Sequence, residues 1–201
     1  MKVTIVGAGY VGMSLAALIA QKNDVVLLEI DPVRVETVNN KQSTISENEI
    51  KEFLIEKDLN LTATLDKKYA YENANFVVIA TPTDYDSVTN QFNTDSVDNV
   101  VRDSLKFNPN AIIIIKSTVP VGHTKSLQKK FNTDRIIFSP EFLRENQALK
   151  DNLYPSRIVV GGNKGLSKDF INLMLECIYK KNVETMIVSS SEAEAIKLLS
   201  N

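Results

Sequence analysis

The sequence has one cysteine, Cys177, and one histidine, His123. A single thiol cannot close an internal disulfide, which fits a reducing compartment and gives the expectation of a cytoplasmic protein. Long hydrophobic runs are lacking too. Stretches such as Ala111–Ile115 are far short of the roughly 20 apolar residues that span a bilayer. An excess of positive charge is also missing, with 23 Lys+Arg against 25 Asp+Glu and a net charge of −2. Neither nucleic acid nor an anionic membrane is therefore expected as the main partner. Met1-Lys2-Val3 leads straight into a strand-like run, without the charged start and long apolar stretch of a signal peptide. There is no internal repeat, low-complexity segment or linker-like shift in composition. What is present is a chain of 201 residues, 43% hydrophobic and 24% charged, which can bury a substantial core as one folded unit.

Short Val- and Ile-rich runs recur at Val3–Val6, Val25–Leu28, Phe76–Ala80, Ala111–Ile115, Ile136–Phe138, Ile158–Val160 and Thr185–Val188. Their β-branched bias and unbroken apolar character suit strands covered on both faces. Helical spacing fills the intervals at Val11–Gln21, Val33–Asn39, Glu47–Glu56, Asp95–Lys106, Val121–Lys130 and Leu166–Lys180. This alternation predicts an α/β fold, a doubly wound, mostly parallel Rossmann-type sheet with helices on both faces.

Gly7-Ala8-Gly9-Tyr10-Val11-Gly12 follows the first strand and opens the first helix. In such a G-x-G-x-x-G turn the first glycine allows the tight bend. The second lets the backbone approach a pyrophosphate, and the third permits close helix–sheet packing. The helix N-terminus offers free N–H groups to the phosphates. Tyr10 and Val11 would flank the cofactor. Asp31, about 20 residues further on, is expected to accept from the adenosine ribose. A carboxylate there would repel a 2′-phosphate, so NAD is the expected cofactor.

Later loops carry polar residues just past strand ends, each with two readings. Thr81 and Thr83 either face the cofactor crevice or belong to a proline turn. Ser117 and Thr118 either cap the next helix or orient a water or substrate. Ser139-Pro140 reads as a helix start, with Glu141 and Glu145 four apart on one face. Those glutamates are either a solvated acidic face or a binding carboxylate beside a proton-transfer group. Near the end, Ser191 and Glu194 match a capping box, and Lys197 and Asn201 share a polar helix face with Glu194. Cys177 lies in an apolar helical pattern as a packed thiol, and His123 reads as structural. No metal site is expected.

Together these strings resemble the UDP-glucose 6-dehydrogenase family. The match runs from the glycine turn through Ala80–Asp86, Lys116–Gly122, Ser139–Glu145 and Asn152–Ile158 to Glu192–Leu198. The resemblance implies oxidation of the C6 alcohol of UDP-glucose to a carboxylate by two NAD in succession, through a cysteine thioester. It implies that Thr118 and Glu145 position water or relay protons near the cofactor. Glu141 would serve hydrolysis and substrate contact, Phe142, Leu143 and Arg144 would lie along the substrate, and Lys197 and Asn201 would stabilise an oxyanion. Thr83 would join the cofactor site. Lys150 stands where the family often has Tyr near the substrate diphosphate. The family's Gly-Gly-Tyr-Cys string is absent, so the chain alone is expected to be inactive. Residues 1–190 would form the NAD-binding domain and 191–201 the start of a central connecting helix. The second domain would be missing, and the full-length protein would be a homodimer. Another nucleotide sugar, such as UDP-N-acetylmannosamine, or a non-catalytic NAD-binding module are the other readings.

Overall fold

A computed structural model describes residues 1–86 and 91–200. The first half runs β1 (Lys2–Val6), α1 (Tyr10–Ile19), β2 (Asp24–Leu28), α2 (Pro32–Asn39), α3 (Asn48–Glu56), β3 (Leu61–Thr64), α4 (Lys67–Tyr71) and β4 (Phe76–Ile79). A small antiparallel pair, β5 (Tyr85–Asp86) and β6 (Gln91–Phe92), follows β4. Next come α5 (Asp95–Phe107), β7 (Ile112–Ile115), α6 (His123–Phe131), β8 (Ile136–Phe138) and α7 (Ala148–Leu153). The described chain ends with β9 (Arg157–Gly161), α8 (Lys164–Cys177), β10 (Glu184–Val188) and α9 (Ser190–Leu199).

The main sheet has the order β10-β9-β8-β7-β4-β1-β2-β3. From β3 to β8 the strands are parallel, as the sequence predicts; β9 pairs antiparallel with β8, and β10 runs parallel to β9. Strand order reverses between β1 and β4, and in such a sheet the ligand crevice opens at the carboxyl ends of the strands on either side of that switch.

Why both faces are covered is visible in β7, whose four residues are all isoleucine. Ile112 and Ile114 face a core shared with α1, α3 and α8, whereas Ile113 and Ile115 face one shared with α5, α6 and Ala193 of α9. Alternate side chains point to opposite faces, so an unbroken apolar run needs helices on both. Burying each isoleucine stabilises the fold by about 1.5–3 kcal/mol. The edges are weaker: β3 reads Leu-Thr-Ala-Thr and fully buries only Ala63, and four of the five residues of β10 are exposed.

A dinucleotide crevice and an adjoining ion-pair cavity

Gly7 has φ +100°, and a Cβ there would lie 2.7 Å from the Ala80 carbonyl oxygen. The turn after β1 thus presses against the backbone leaving β4, at the switch point. A Cβ on Gly12 would lie 1.8 Å from the Gly7 carbonyl oxygen, so α1 packs directly on the turn. Gly9 differs, because a Cβ on it would meet open space. It is the N-cap of α1 without a side-chain cap, and Tyr10 and Val11 beside it are half-buried. First-turn amides left free of a side chain are the groups that bind a pyrophosphate.

The carboxylate at this turn is Glu29, not Asp31. Glu29 is buried at the end of β2, where it accepts from Ala8 N (2.9 Å) and Ile30 N (2.8 Å), with Arg34 Nη1 at 3.6 Å. Asp31, expected from the sequence to meet the ribose, is exposed and caps α2 by accepting from Val33 N. Its place directly before Pro32 makes it the natural N-cap. Thr44 donates to the Ala8 carbonyl at 2.6 Å and holds the loop after α2 over the turn.

On the other side of the crevice, Ser117 donates to the Thr81 carbonyl (2.6 Å), and the Thr81 and Ser96 hydroxyls share a hydrogen bond. Thr83 and Thr118 are half-buried in these two loops. Neither Ser117 nor Thr118 caps α6, since Gly122, with φ +92°, is its N-cap. The first amides of α6 are met instead by Glu194 of α9, which accepts from Gly122 N and from Thr124 N (2.8 Å).

Residues 139–144 form an irregular strap and not the helix start that Ser139-Pro140 suggests. Ser139 is buried and donates to the Val159 carbonyl at 3.0 Å, so its hydroxyl serves the sheet. Glu141 and Glu145 therefore do not share a helix face. Glu145 is exposed at the head of a 3-10 turn, Glu145–Gln147, whereas Glu141 turns inward and pairs with Lys197. The second carboxylate oxygen of Glu141 is buried and has no hydrogen-bond partner among the described residues. Arg157 lies over the Phe142 ring at 4.5 Å. Arg144 clamps Asp151 through Nη2 (2.7 Å) and Nε (3.1 Å), and those hydrogen bonds hold the Asp151 carboxyl below its ordinary range. Leu143 is half-buried, and Lys150 is exposed on α7. Glu47 caps α7 through Ala148 N and Leu149 N, each at 3.0 Å, with burial pushing its carboxyl up. Between the strap, residues 151–158 and α8 lies a cavity of about 400 Å³.

At one wall of this cavity sits Lys116, 5% exposed, a cation that periodicity does not reveal. Burial lowers its ammonium to about 8, with Glu141 opposing and Lys197 reinforcing the shift. Below that value the native state carries a buried charge. Between pH 8 and the ordinary 10.5 it holds fewer protons than the unfolded chain, so stability rises with pH across that window. Urea unfolding at several pH values should show this rise in the wild type and lose it in Lys116→Met.

The sequence placed the capping box of α9 at Ser191 and Glu194; it is formed by Ser189 and Glu192. Glu194 and Lys197 are 0% and 5% exposed, where a wet helix face was expected, because Glu194 meets the amides of α6 and Lys197 pairs with Glu141. Asn201, assigned beside Lys197, lies outside the described residues. Cys177 is buried beside Asn23, and burial raises its thiol to about 11, which keeps it from acting as a nucleophile. His123 pairs with Asp98 at 2.9 Å as a structural link between α6 and α5. No grouping of His, Cys, Asp and Glu suited to a metal occurs among the described residues, and no helix among them is long and apolar enough to cross a membrane.

A glycine turn at the switch point of a doubly wound sheet, an uncapped helix start and a buried acid after the second strand define a dinucleotide-binding domain of the Rossmann type. Residues 1–183 match the NAD-binding domain of the UDP-glucose/GDP-mannose dehydrogenase family, and the chain belongs to that family. It is 47% identical over 207 residues to UDP-glucose 6-dehydrogenase of Streptococcus pneumoniae and 49% over 203 to that of Campylobacter jejuni. Both alignments take in 100% of this chain and 52% of the relative, so the chain spans about half the length of these curated proteins. Among solved structures, a UDP-glucose dehydrogenase from Pyrobaculum islandicum superposes with TM-score 0.86 at 24% identity. It shares 99% of this chain and 48% of its own. A UDP-D-ManNAc dehydrogenase from Pyrococcus horikoshii gives 0.87 at 21%, with 99% and 49% covered. These two likenesses bear on the fold.

Proposed function

We propose that the chain forms the NAD-binding half of an enzyme that oxidises C6 of UDP-glucose to the carboxylate. The observation that carries this reading is the Glu141–Lys197 pair, whose Glu141 lines the cavity and keeps one oxygen without a partner among the described residues. A buried carboxylate oxygen without a donor is suited to accept from a substrate hydroxyl or a water. Lys197, with Asn201, would stabilise oxyanion character at C6. Phe142, Leu143 and Arg144 would line the sugar nucleotide, and Thr118 and Glu145 would place water between substrate and cofactor.

The turn residues fit NAD, which supplies the hydride acceptor when bound. Gly7 and Gly12 shape the turn, Gly9, Tyr10 and Val11 would meet the pyrophosphate, and Thr83, Thr118 and Glu145 would flank the nicotinamide end. Glu29 replaces Asp31 as the proposed ribose acceptor. Cys177 cannot supply the thioester thiol, so that group must come from outside these residues. The same reading makes the protein a cytoplasmic homodimer with neither nucleic acid nor membrane as partner.

Three measurements test it. Calorimetry should show Glu29→Ala weakening NAD by roughly 1–3 kcal/mol, since a ribose hydroxyl loses its acceptor. Asp31→Ala should lower stability by about 1 kcal/mol through the lost cap, with NAD affinity unchanged. The reverse pattern would restore the ribose role to Asp31. Protein from the complete reading frame should reduce NAD with UDP-glucose, and turnover confined to UDP-N-acetylmannosamine would refute the substrate.

A further inference from the structure

The buried cation Lys116 has no place in the roles above. It follows directly on the four isoleucines of β7, and its backbone N–H bonds to the Ile79 carbonyl, so strand pairing fixes its Cα. Its Nζ donates to the Ser139 carbonyl (3.0 Å), the Ser139 hydroxyl (3.3 Å) and the Pro140 carbonyl (3.4 Å). All three acceptors are neutral, and all lie immediately before Glu141. A buried ammonium held only by neutral oxygens is an expensive way to fasten a strap. A neutral donor would fasten it without the desolvated charge. The next residue along the strap from these acceptors is Glu141, which pairs with Lys197 of α9, and these two charges act on the Lys116 ammonium with opposite sign. The other end of the strap is held separately, by Asp151 on Arg144.

We propose that Lys116 is a positioning residue, which anchors the strap at Ser139 and Pro140 and sets the place and electrostatic surroundings of the Glu141–Lys197 pair. This deepens the reading of Glu141 and Lys197 as the reacting pair and rests on it for its kinetic consequence. Its physical core, coupling of Lys116 to the pair, stands without that reading. An ammonium beside Glu141 and Lys197 favours the carboxylate and opposes a second cation. Loss of the Lys116 proton therefore changes the field at the pair.

The test uses protein from the complete reading frame, labelled for NMR at the lysine side chains. Lys116 should titrate near pH 8 in the wild type. Its midpoint should fall by about half a unit or more in Glu141→Gln and rise by a similar amount in Lys197→Met. In turnover with UDP-glucose, Lys116→Met should lower kcat by about a hundredfold, the order expected for a displaced reacting group. Its KM and NAD affinity should stay within about twofold, and the limb of the kcat profile near pH 8 should disappear. Should Lys116→Met fail to fold, Ser139→Ala, which removes one of the Lys116 contacts, should lower kcat in the same direction. A Lys116 midpoint that stays put in both variants overturns the proposal, as does an unchanged kcat. Absence of wild-type turnover on UDP-glucose would refute the substrate, and the NMR titration would still decide the coupling.

Discussion

Gly12→Ala is expected to destabilise the fold by at least about 3 kcal/mol and to abolish measurable NAD binding. The added methyl would sit 1.8 Å from the Gly7 carbonyl oxygen, which belongs to backbone and cannot swing away. Relief requires α1 to move off β1. That helix buries eight of its ten residues, so the movement opens core on one whole face of the sheet. The melting temperature should fall on the order of 10 °C for a chain of this size. Gly9→Ala is the control, because its methyl would enter open space. This variant should melt with the wild type while binding NAD at least about tenfold more weakly, since the methyl takes room the pyrophosphate needs. Circular dichroism and calorimetry on both variants separate the two roles. A Gly12→Ala protein with wild-type melting would show that the turn can relax; wild-type NAD affinity in Gly9→Ala would place the pyrophosphate elsewhere.

The glycine turn was legible in the sequence because its demands are local: a strand, a bend and a helix start within a dozen residues. Unbroken runs such as the four isoleucines of β7 were legible for a similar reason, as only a strand covered on both faces tolerates them. β3 was missed because Leu-Thr-Ala-Thr has neither strong alternation nor a strong apolar run, and pairing with β2 decides it. The antiparallel turn of β9 leaves no mark on composition. Site residues failed where two local patterns compete. Ser139-Pro140-Glu141 reads as a helix start, yet the Lys116 ammonium and the Val159 carbonyl claim Ser139 and keep these residues out of a helix. Ser189–Glu192 and Ser191–Glu194 both fit a capping box. The choice is made by α6, whose open amides draw Glu194 inward. Glu29 and Asp31 both suit a ribose acceptor by spacing, and Pro32 takes Asp31 for the cap. Charged residues are read as exposed by default, so Lys116, Glu194 and Lys197 were invisible as buried groups.

Lys197→Met is expected to remove both stability and turnover, by different routes. The pair is desolvated, with side-chain exposures of 6% for Lys197 and 12% for Glu141. Taking away the ammonium leaves a carboxylate with one oxygen already unpartnered among the described residues and the other newly so. Breaking a buried pair in this way costs about 3–5 kcal/mol, because the remaining charge stays desolvated. Lys116 donates to the strap and not to this carboxylate, so it offsets only part of that cost. Replacing both partners, in Lys197→Met/Glu141→Leu, removes the orphan and should recover most of the lost stability. Turnover should not recover. If Lys197 faces the developing oxyanion, its loss lowers kcat by about 10²–10³, and the double variant, which also lacks the Glu141 carboxylate, stays at or below that level. NAD affinity should be unchanged throughout, since neither residue touches the glycine turn. Urea unfolding of the two single variants and the double gives the coupling between the residues, and steady-state kinetics on the same proteins gives their chemistry. Stability that fails to return in the double variant would mean that the pair is held by more than its charges. Turnover that returns with stability would reduce Lys197 to a structural counter-ion and remove the support for an oxyanion site at the end of α9.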